Sequence, residues 1–456
     1  YIMTQQREQW SSKLGFILAA SGSAIGLGNI WKFPYIAGEN GGAAFVFVYL
    51  ICIAVIGLPV LVGEILMGRT TQRNPVGAFN RLSKGNPYWT ALGGLGVVAG
   101  FIILSFYSVV AGWSLGYIVE SMKGVFSTFT DASIANEHFG NLVGNPTWIL
   151  GYHGLFFILT MVVVYFGVKD GIEKGSKIMM PILLFILLIL VIRGLTLPGA
   201  EKGMDFLWNP DWTKISGESV LIALGHAFFT LSLGMGAMMT YGSYLSKKDN
   251  ILNAATQVVF LDTLIAILAG IAIFTAVFAT GQDPASGPGL IFQTLPVVFA
   301  KMPGGSIFSV LFFLLLTLAA LTSAISLLEV VVAYFVDEKG WQRHRAVMTF
   351  GFVTFLIGVP SALSFNLLSD FTIFGNTFFD AADYLASNIL LPLGGFFIAI
   401  FVGWVWGIDK AIIELKDGAE KIIETNPWLM RLWSIFLRFL SPILIFIVLL
   451  YKLGII

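Results

Sequence analysis

Residues 21–34 read SGSAIGLGNIWKFP, and they interrupt the first apolar stretch of the chain with three glycines, Gly22, Gly26 and Gly28. Glycine in a helix interior costs about 1 kcal/mol relative to alanine. Irregular backbone at membrane depth persists only where protein or a water-filled cavity pairs its polar groups. The glycine cluster therefore predicts a break in a membrane helix that is kept for a function.

The composition places this stretch in a membrane protein. Of the 456 residues, 57% are hydrophobic and 11% are charged, whereas soluble domains carry about 25% charged residues. A water-soluble protein is therefore excluded, and residues 1–456 are predicted to form a single transmembrane domain. The balanced charge includes no basic tract for nucleic acid, and the lone Cys52 excludes an intramolecular disulfide. Four histidines and scattered serines suggest no hydrolytic site, so an enzyme is not expected.

Apolar runs of about 20 residues, the length that crosses the hydrocarbon core, occur eleven times. The predicted spans are 14–37, 42–68, 89–120, 148–167, 175–197, 219–245, 252–280, 306–336, 346–360, 376–407 and 428–453. Eighteen lysines and arginines fall in segments on the N-terminal side of the membrane, and five fall on the other side. The positive-inside rule then predicts a multi-pass protein of the cell membrane, with its N-terminus cytoplasmic and its C-terminus extracellular.

A second break explains the first. Residues 228–241 read FFTLSLGMGAMMTY, with Gly234 and Gly236 inside the sixth span. The two breaks lie five spans apart, in the first and sixth spans, which predicts an inverted repeat: repeat one at about 14–197, repeat two at about 219–407, and an additional helix at about 428–453. Such paired interruptions mark a midplane binding site in secondary transporters, where half-helix ends hold charged groups. The alternative is that the glycines only let helices pack closely.

Several motifs give the chain a family resemblance. They are REQW (7–10), GSAIGLGNIWKFPY (22–35), ENGGAAF (39–45), GLPVLVGEILMGR (57–69), FFTLSLGMGAMMTYGSY (228–244), LTSAISLLE (321–329) and FFDAADYLASN (378–388). With these motifs the chain resembles the neurotransmitter:sodium symporter family, most closely the bacterial branch that transports multiple hydrophobic amino acids. The resemblance implies an all-α, leucine-transporter-like fold with unwound helices 1 and 6, and sodium-coupled amino-acid uptake by alternating access. Family members usually have twelve spans, and eleven are predicted here.

The resemblance implies two Na⁺ sites. The first would use Ala24, Asn29, Thr230 and Asp262, completed by the substrate carboxylate; the second would use Gly22, Ile25, Ala319, Thr322 and Ser323. Oxygen-only ligands suit a hard cation. The last three residues of the second set also follow i, i+3, i+4 spacing, which places them on one helix face. Taken alone, their hydroxyls could simply bond back to the helix backbone.

The resemblance also implies the substrate site. Its residues would be Ser23, Ala24, Gly26, Ile103, Tyr107, Phe229, Thr230, Ser232, Met235, Ser323 and Leu327. Monoamine transporters of the family carry an aspartate at the position of Gly26, so glycine leaves room for the carboxylate of an amino acid, which the Tyr107 hydroxyl is expected to bind. The other residues of the pocket are apolar, which predicts hydrophobic L-amino acids as substrates, both aliphatic and aromatic. The flexible side chain of Met235 favours a broad range of substrates. A protein partner is not required.

The resemblance further implies two gates. Lys32 and Asp383 would form the outer gate; Arg7 and Asp337 would form the inner gate, with Trp10 and Tyr244 nearby. Lysine replaces the usual arginine in the outer pair and offers a point charge instead of a two-pronged fork, so this gate is expected to be weaker. The alternative for the inner pair is that these charges are simply solvated at the membrane edge.

Three further features carry separate expectations. Glu64, deep in its span, is predicted to brace the unwound first helix. His226 is predicted to be a hydrogen-bonded structural residue, because no second metal ligand or nucleophile accompanies it. In the fifth span, Gly171 and Gly175 precede Pro181, which cannot donate to the carbonyl four residues earlier. This segment either unwinds to admit water towards the second Na⁺ site or forms a fixed kink.

The anion requirement and the rival functions complete the analysis. Many family members bind chloride near the first Na⁺ through a serine of the seventh span, and this chain has Ala266 there. An ionised Asp262, one turn earlier on the same face, is expected to replace the anion and make transport chloride-independent. The alternative is a protonated Asp262 that acts as an amide does. The rival functions are a proton-coupled carrier and a channel for small amphipathic solutes.

Overall fold

The computed structural model describes residues 8–455 and shows an almost entirely helical chain. Within residues 8–455 the one sheet is a short antiparallel hairpin, β1 (Thr372–Ile373) with β2 (Asn376–Thr377), in which Thr372 pairs with Thr377. Arg7 and Ile456 lie outside the described residues. The helical content agrees with the predicted all-α class.

Within residues 8–455, nine helices are long and apolar enough to cross a membrane. They are Ala43–Thr71, Pro87–Met122, Pro146–Tyr165, Val168–Leu195, Ile251–Ala279, Gly305–Lys339, Arg343–Leu363, Phe378–Val405 and Pro427–Lys452. A tenth span consists of Lys13–Ala24 and Gly28–Glu39, two helices that meet at an angle of 49°. The remaining predicted span is the sixth, which is divided into Gly217–Thr230 and Ala237–Gly242. We number the spans one to eleven in chain order.

Shorter helices connect the spans. They are Pro75–Leu82, Val125–Thr128, Ala132–Val143, Ala200–Trp208, Trp212–Lys214, Gly287–Leu290, Thr294–Lys301, Ile408–Lys416 and Glu420–Thr425. Local sequence explains several helix starts: Asn74, Asn86 and Asn145 each precede a proline and accept hydrogen bonds from first-turn amides. Asparagine is a strong N-cap, and proline is well tolerated at the first helical position.

Six stretches within the spans are π-helical. They are Gly28–Lys32, Ile53–Gly57, Val168–Glu173, Tyr384–Leu390, Phe401–Val405 and Phe436–Leu440. The fifth span continues from its π-helical stretch into Lys174–Leu195, with Pro181 inside the helix. In this structure the segment from Gly171 to Pro181 is therefore wound.

The third and eighth spans form the centre of the molecule. They pack along each other, and 72% and 78% of their most apolar windows are buried, against 33% for the fourth span. The broken first span also packs on the eighth. The first break thus lies beside the two long, mostly buried helices of the third and eighth spans.

Both breaks have the geometry that the glycine clusters predict. In the first span, Ile25 leaves the helix with an extended backbone at ψ 99°. In the sixth, Gly234 and Gly236 have φ values of +82° and +77°, which glycine adopts without steric cost. A Cβ atom at Gly234 would also collide with the Leu391 carbonyl. The sixth break therefore requires glycine both for its backbone angles and for its close contact with the tenth span.

Candidate functional site

The two breaks face each other and are joined by serine hydroxyls. Ser232 donates to the Ser23 carbonyl at 2.8 Å, and Ser323 donates to the same carbonyl at 3.0 Å. The Ser23 hydroxyl donates to Ser326 at 2.7 Å. Backbone groups that the first helix leaves unpaired are thus satisfied by the sixth and eighth spans, as irregular backbone at membrane depth requires.

A buried pocket lies between the first, third, sixth and eighth spans. Its lining residues are Ser23, Ala24, Gly26, Gly28, Ile103, Tyr107, Phe229, Ser232, Met235, Ser323 and Leu327. This set contains every residue of the predicted substrate site except Thr230, and it adds Gly28. The structure therefore brings together residues that are separated by as many as 304 positions in the chain.

One end of the pocket is polar. The Leu27 N–H, within the first break, donates to the Tyr107 hydroxyl at 3.1 Å. A Cβ atom at Gly26 would lie 2.8 Å from the Tyr107 hydroxyl oxygen and closer still to the Ser323 Oγ. These hydroxyls and the backbone of the break surround the space beside Gly26. A carboxylate that enters there meets hydrogen-bond donors, and a side chain at position 26 would fill the same space.

The other end of the pocket is apolar. Ile103, Met235 and Leu327 are buried, with exposed fractions of 2%, 4% and 3%. Phe229 is half-buried, and the Lys32 ammonium lies 4.4 Å from the centre of its ring. An apolar pocket with a few convergent polar groups is the usual form of a small-molecule site.

Three of the four residues of the predicted first Na⁺ site, Asn29, Thr230 and Asp262, lie in contact. Asn29 Nδ2 donates to the Asp262 carboxylate at 2.8 Å, and the Thr230 hydroxyl donates to the same carboxylate oxygen at 3.1 Å. Asn29 Oδ1 accepts from the Gly26 N–H at 3.1 Å. Asp262 is fully buried. The contact of Thr230 with Asp262 also explains why Thr230 does not line the substrate pocket.

The residues of the predicted second Na⁺ site form a cluster of oxygens. The Ser323 hydroxyl lies 3.3 Å from the Gly22 carbonyl and 3.5 Å from the Ile25 carbonyl. The Thr322 hydroxyl lies 3.4 Å from the Ile25 carbonyl and 2.9 Å from that of Ala319. The last contact is the back-bond within the helix that the alternative interpretation predicts. The cluster nevertheless fits Na⁺, because all five residues would offer it an oxygen ligand, two from the first span and three from the eighth span that faces it.

Trp10 closes the inner side of the first span. Its backbone N–H donates to the Tyr244 carbonyl at 3.2 Å, and its indole N–H donates to the Tyr241 carbonyl at 3.0 Å. Asp337 accepts two hydrogen bonds from Asn74, at 3.1 and 3.2 Å. The predicted partner of Asp337, Arg7, lies outside the described residues, so their pairing remains a prediction.

The inner side also contains an ion pair that sequence reasoning missed. Glu329, fully buried in the eighth span, pairs with Arg343 at the start of the ninth. The Tyr244 hydroxyl donates to Glu329 at 2.5 Å, and Arg343 Nε donates to the Val164 carbonyl at 3.0 Å. The signal was present in the sequence, because an acidic residue within an apolar span is a functional candidate by default.

The outer pair is less direct than predicted. Within residues 8–455, no ion pair within 4.0 Å joins Lys32 to Asp383; Lys32 lies over Phe229, and Asp383 accepts from the Ser387 hydroxyl at 2.7 Å. Lys32 lies next to the pocket, because Phe229 is one of the lining residues. Their role as a gate remains a prediction.

Two expectations about buried polar residues were wrong. Glu64 accepts a hydrogen bond from the Gly234 N–H at 2.7 Å, so it braces the sixth break and not the first. Within the described part of the chain, neither ring nitrogen of His226 has a hydrogen-bond partner. The ring instead stacks on Phe33 at 6.0 Å and lies 5.3 Å from that of Tyr49.

Comparison with known proteins identifies the family. The sequence model that describes the Sodium:neurotransmitter symporter family matches residues 7–138 and 138–455 of this chain. The chain belongs to this family. It is therefore a sodium-dependent symporter with multiple membrane spans, and the predictions of the family and of a non-enzymatic function are confirmed.

Relatives of this symporter come from bacteria and animals. The uncharacterized sodium-dependent transporter YhdH of Bacillus subtilis is 42% identical over 454 residues, which cover 99% of each chain. The sodium- and chloride-dependent taurine transporter of Homo sapiens is 28% identical over 96% of this chain and 77% of its own length. A crystal structure of MhsT in complex with L-phenylalanine is similar, with a TM-score of 0.89 and 48% identity over 98% of this chain and 100% of that one. The similarity confirms the predicted fold class.

Proposed function

We propose that this symporter imports hydrophobic L-amino acids, aliphatic and aromatic, together with two Na⁺ ions and without chloride, by alternating access. The observation that carries the proposal is the buried pocket between the first, third, sixth and eighth spans, polar at the first helix break and apolar at the other end. An amino acid with an apolar side chain has this same division between a charged end and a hydrophobic end.

The polar end favours a substrate that brings its own carboxylate. Gly26 leaves open the space that a side chain would otherwise occupy beside Tyr107 and Ser323. The Tyr107 hydroxyl is buried and can rotate to donate to a carboxylate. Hydrogen bonds to a charged acceptor contribute more than neutral ones, about 1.5–3 kcal/mol each. An amine without a carboxylate forms none of these contacts.

The apolar end favours a hydrophobic side chain. Ile103, Phe229, Met235 and Leu327 provide only carbon and sulfur surface towards the pocket. The thioether of Met235 can adjust to aliphatic or aromatic shapes. The bound L-phenylalanine of the similar MhsT structure supports an aromatic substrate.

The oxygens at the first break support Na⁺ at both positions. Asn29, Thr230 and Asp262 would hold the first ion with the Ala24 carbonyl, and the cluster around Ser323 would hold the second. When bound, Na⁺ supplies positive charge beside the substrate carboxylate. The chain's own contribution is to hold two facing elements at a fixed separation through hydroxyl–carbonyl contacts. Binding at this junction therefore favours the arrangement in which the first and eighth spans are in contact.

The environment of Asp262 supports transport without chloride. Its carboxylate accepts hydrogen bonds from Asn29 and Thr230, and such donors stabilise the charged form. The neighbouring Ala266 is fully buried and provides neither a hydroxyl nor a charge. The fixed negative charge of Asp262 compensates for the bound cations, because unpaired charge is expensive in a buried site.

A binding panel tests the proposed function. The purified protein is titrated with L-leucine, L-phenylalanine, L-tryptophan, L-glutamate, taurine and tryptamine, each in Na⁺ and in K⁺ buffer. The proposal predicts saturable binding of the three hydrophobic amino acids only in Na⁺. Tight binding of taurine or tryptamine, or binding of L-leucine that is equal in the two buffers, would refute it.

A further inference from the structure

A second and larger cavity lies away from the substrate site. It has a volume of about 720 Å³ and lies between the helix Pro75–Leu82 and the third, eighth and ninth spans. We call it the basal groove. Its lining residues include Gly94 and Val98 of the third span, Tyr334 and Phe335 of the eighth span, and Phe350 of the ninth span. Its size is within the range of small-molecule sites, about 300–1,000 Å³.

The interior of the basal groove is apolar. Three of its lining side chains carry a polar group, those of Asn80, Thr90 and Tyr334, and Asn80 Nδ2 donates to the Thr90 hydroxyl at 3.1 Å. Val98 is 49% exposed, so the groove opens at the side of the helix bundle. The other eleven lining residues are apolar or glycine. The interior therefore suits a hydrocarbon chain.

The groove is longer than the hydrocarbon part of one leaflet of a bilayer. Lining residues of the third span run from Pro87 to Phe101, which is about 21 Å of helix at 1.5 Å per residue. Half of a typical hydrocarbon core is about 15 Å thick. An acyl chain can thus lie along the groove, whereas a polar peptide would have to enter the hydrophobic region.

The mouth of the groove is positively charged. Lys84 is exposed next to the lining residue Gly85, and Lys339 Nζ lies 5.8 Å from the ring of the lining residue Tyr334. Arg345 lies 4.7 Å from the Trp341 ring, which packs against Phe350. The nearby Glu338 is already 4.0 Å from Arg73. Three cations thus lie close to residues that line this end of the groove, on the side of the membrane that is predicted to be cytoplasmic.

We propose that the basal groove binds an anionic glycerophospholipid, with one acyl chain beside Gly94 and the headgroup phosphate at Lys84, Lys339 and Arg345. Basic pockets between spans on the cytoplasmic side suit anionic headgroups. The apolar interior alone would accept many apolar molecules, and the charged mouth alone would accept many anions. Together they specify a molecule that has both a hydrocarbon chain and an anionic headgroup. The proposal does not depend on which amino acid the symporter transports.

The acyl position is tested by filling the groove. A Cβ atom at Gly94, a lining residue of the cavity, meets no atom within 4 Å, so the side chain of Gly94→Leu starts in open space. Gly151→Leu is the matched control, because Gly151 is an exposed helical glycine of the fourth span with equally open space. Native mass spectrometry of the full chain in detergent measures retained dioleoyl-phosphatidylglycerol. We expect about tenfold lower retention for Gly94→Leu alone, because its side chain displaces about two methylene groups of the lipid.

The headgroup position is tested by neutralising the mouth. Parent protein is expected to retain phosphatidylglycerol about a hundredfold over dioleoyl-phosphatidylcholine, because three cations near the headgroup contribute about 1 kcal/mol each and each 1.4 kcal/mol is a factor of about ten. The triple variant Lys84→Gln, Lys339→Gln, Arg345→Gln should retain the two lipids equally. The control triple changes exposed lysines elsewhere: Lys410→Gln, Lys416→Gln and Lys421→Gln.

Three results would overturn the proposal. The first is equal retention of the two lipids by the parent, which would remove the role of the charged mouth. The second is equal phosphatidylglycerol retention by the Gly94→Leu and Gly151→Leu variants, which would place the lipid elsewhere. The third is a change in the dimer fraction of Gly94→Leu without loss of lipid, which would make the groove an interface between two copies of the chain.

Discussion

Replacement of Gly26 by aspartate tests the logic of the substrate site most directly. The new carboxylate would lie in the space bounded by Tyr107 and Ser323, where an added Cβ atom is already 2.8 Å from the Tyr107 hydroxyl oxygen. We expect Gly26→Asp to abolish binding of L-leucine. Two effects contribute: loss of the space for the substrate carboxylate and repulsion between two negative charges.

The magnitude of the charge effect follows from the geometry. Two carboxylates that share this space would be about 4 Å apart, and at an effective dielectric constant of about 20 they repel by about 4 kcal/mol. A penalty of this size weakens binding by about a thousandfold, since each 1.4 kcal/mol is a factor of about ten. The matched control is Gly26→Asn, which has nearly the same size without the charge. Asparagine should therefore weaken binding through steric conflict alone and by a smaller factor.

The assay is equilibrium binding of L-leucine and tryptamine to purified parent, Gly26→Asn and Gly26→Asp proteins in Na⁺ buffer. The expected order of leucine affinity is parent, then Gly26→Asn, then Gly26→Asp. Tryptamine should gain affinity in Gly26→Asp relative to the parent, because the new carboxylate replaces the one that it lacks. If Gly26→Asp bound L-leucine within threefold of Gly26→Asn, the substrate carboxylate would not lie beside position 26.

Three other predictions concern ions and stability. Ser323→Ala should lower the Na⁺ affinity measured through substrate binding, because it removes a hydroxyl that contacts two carbonyls of the proposed second site; Ser309→Ala, a buried serine of the same helix, should leave it unchanged. Uptake should persist when gluconate replaces chloride, and Asp262→Asn should impair Na⁺ binding; loss of parental uptake in gluconate would contradict the anion argument. Glu329→Gln should lower the thermal unfolding temperature in detergent, because it leaves a buried arginine without its charged partner, at a cost of about 3 kcal/mol. The exposed pair of Glu338 with Arg73 gives the control: Glu338→Gln should cost less than about 1 kcal/mol, and equal shifts for the two variants would refute the assignment.

Part of the site is encoded locally and could be predicted from the sequence. The sixth break follows from its glycine cluster, because glycine adopts the positive φ angles seen at Gly234 and Gly236 without strain. The first break occurs at Ile25, between Gly22 and Gly26 of the first cluster. The shared face of Ala319, Thr322 and Ser323 follows from helical spacing. Their roles as ligands came from the family resemblance, since spacing by itself does not distinguish a ligand from a hydroxyl that bonds to its own helix.

Contacts between distant spans could not be predicted in the same way. Glu64 was expected at the first break and lies at the sixth, 170 residues away in sequence from the amide that it binds. His226 was expected to be hydrogen-bonded and instead stacks between aromatic rings. Lys32 was expected to pair with Asp383 and lies over Phe229. Each outcome depends on which side chains of other spans come nearest.

The sequence alone determined that this chain crosses a membrane many times, where its helices break and which face of the eighth helix carries hydroxyls. These properties depend on residue type and spacing within one or two turns, and the bilayer allows few alternatives to a helix. The tertiary structure decided the partners of the buried charges and created the basal groove. A buried ion pair or a cavity is formed by the relative position of several helices, and that position follows from packing over the whole molecule and not from any one segment.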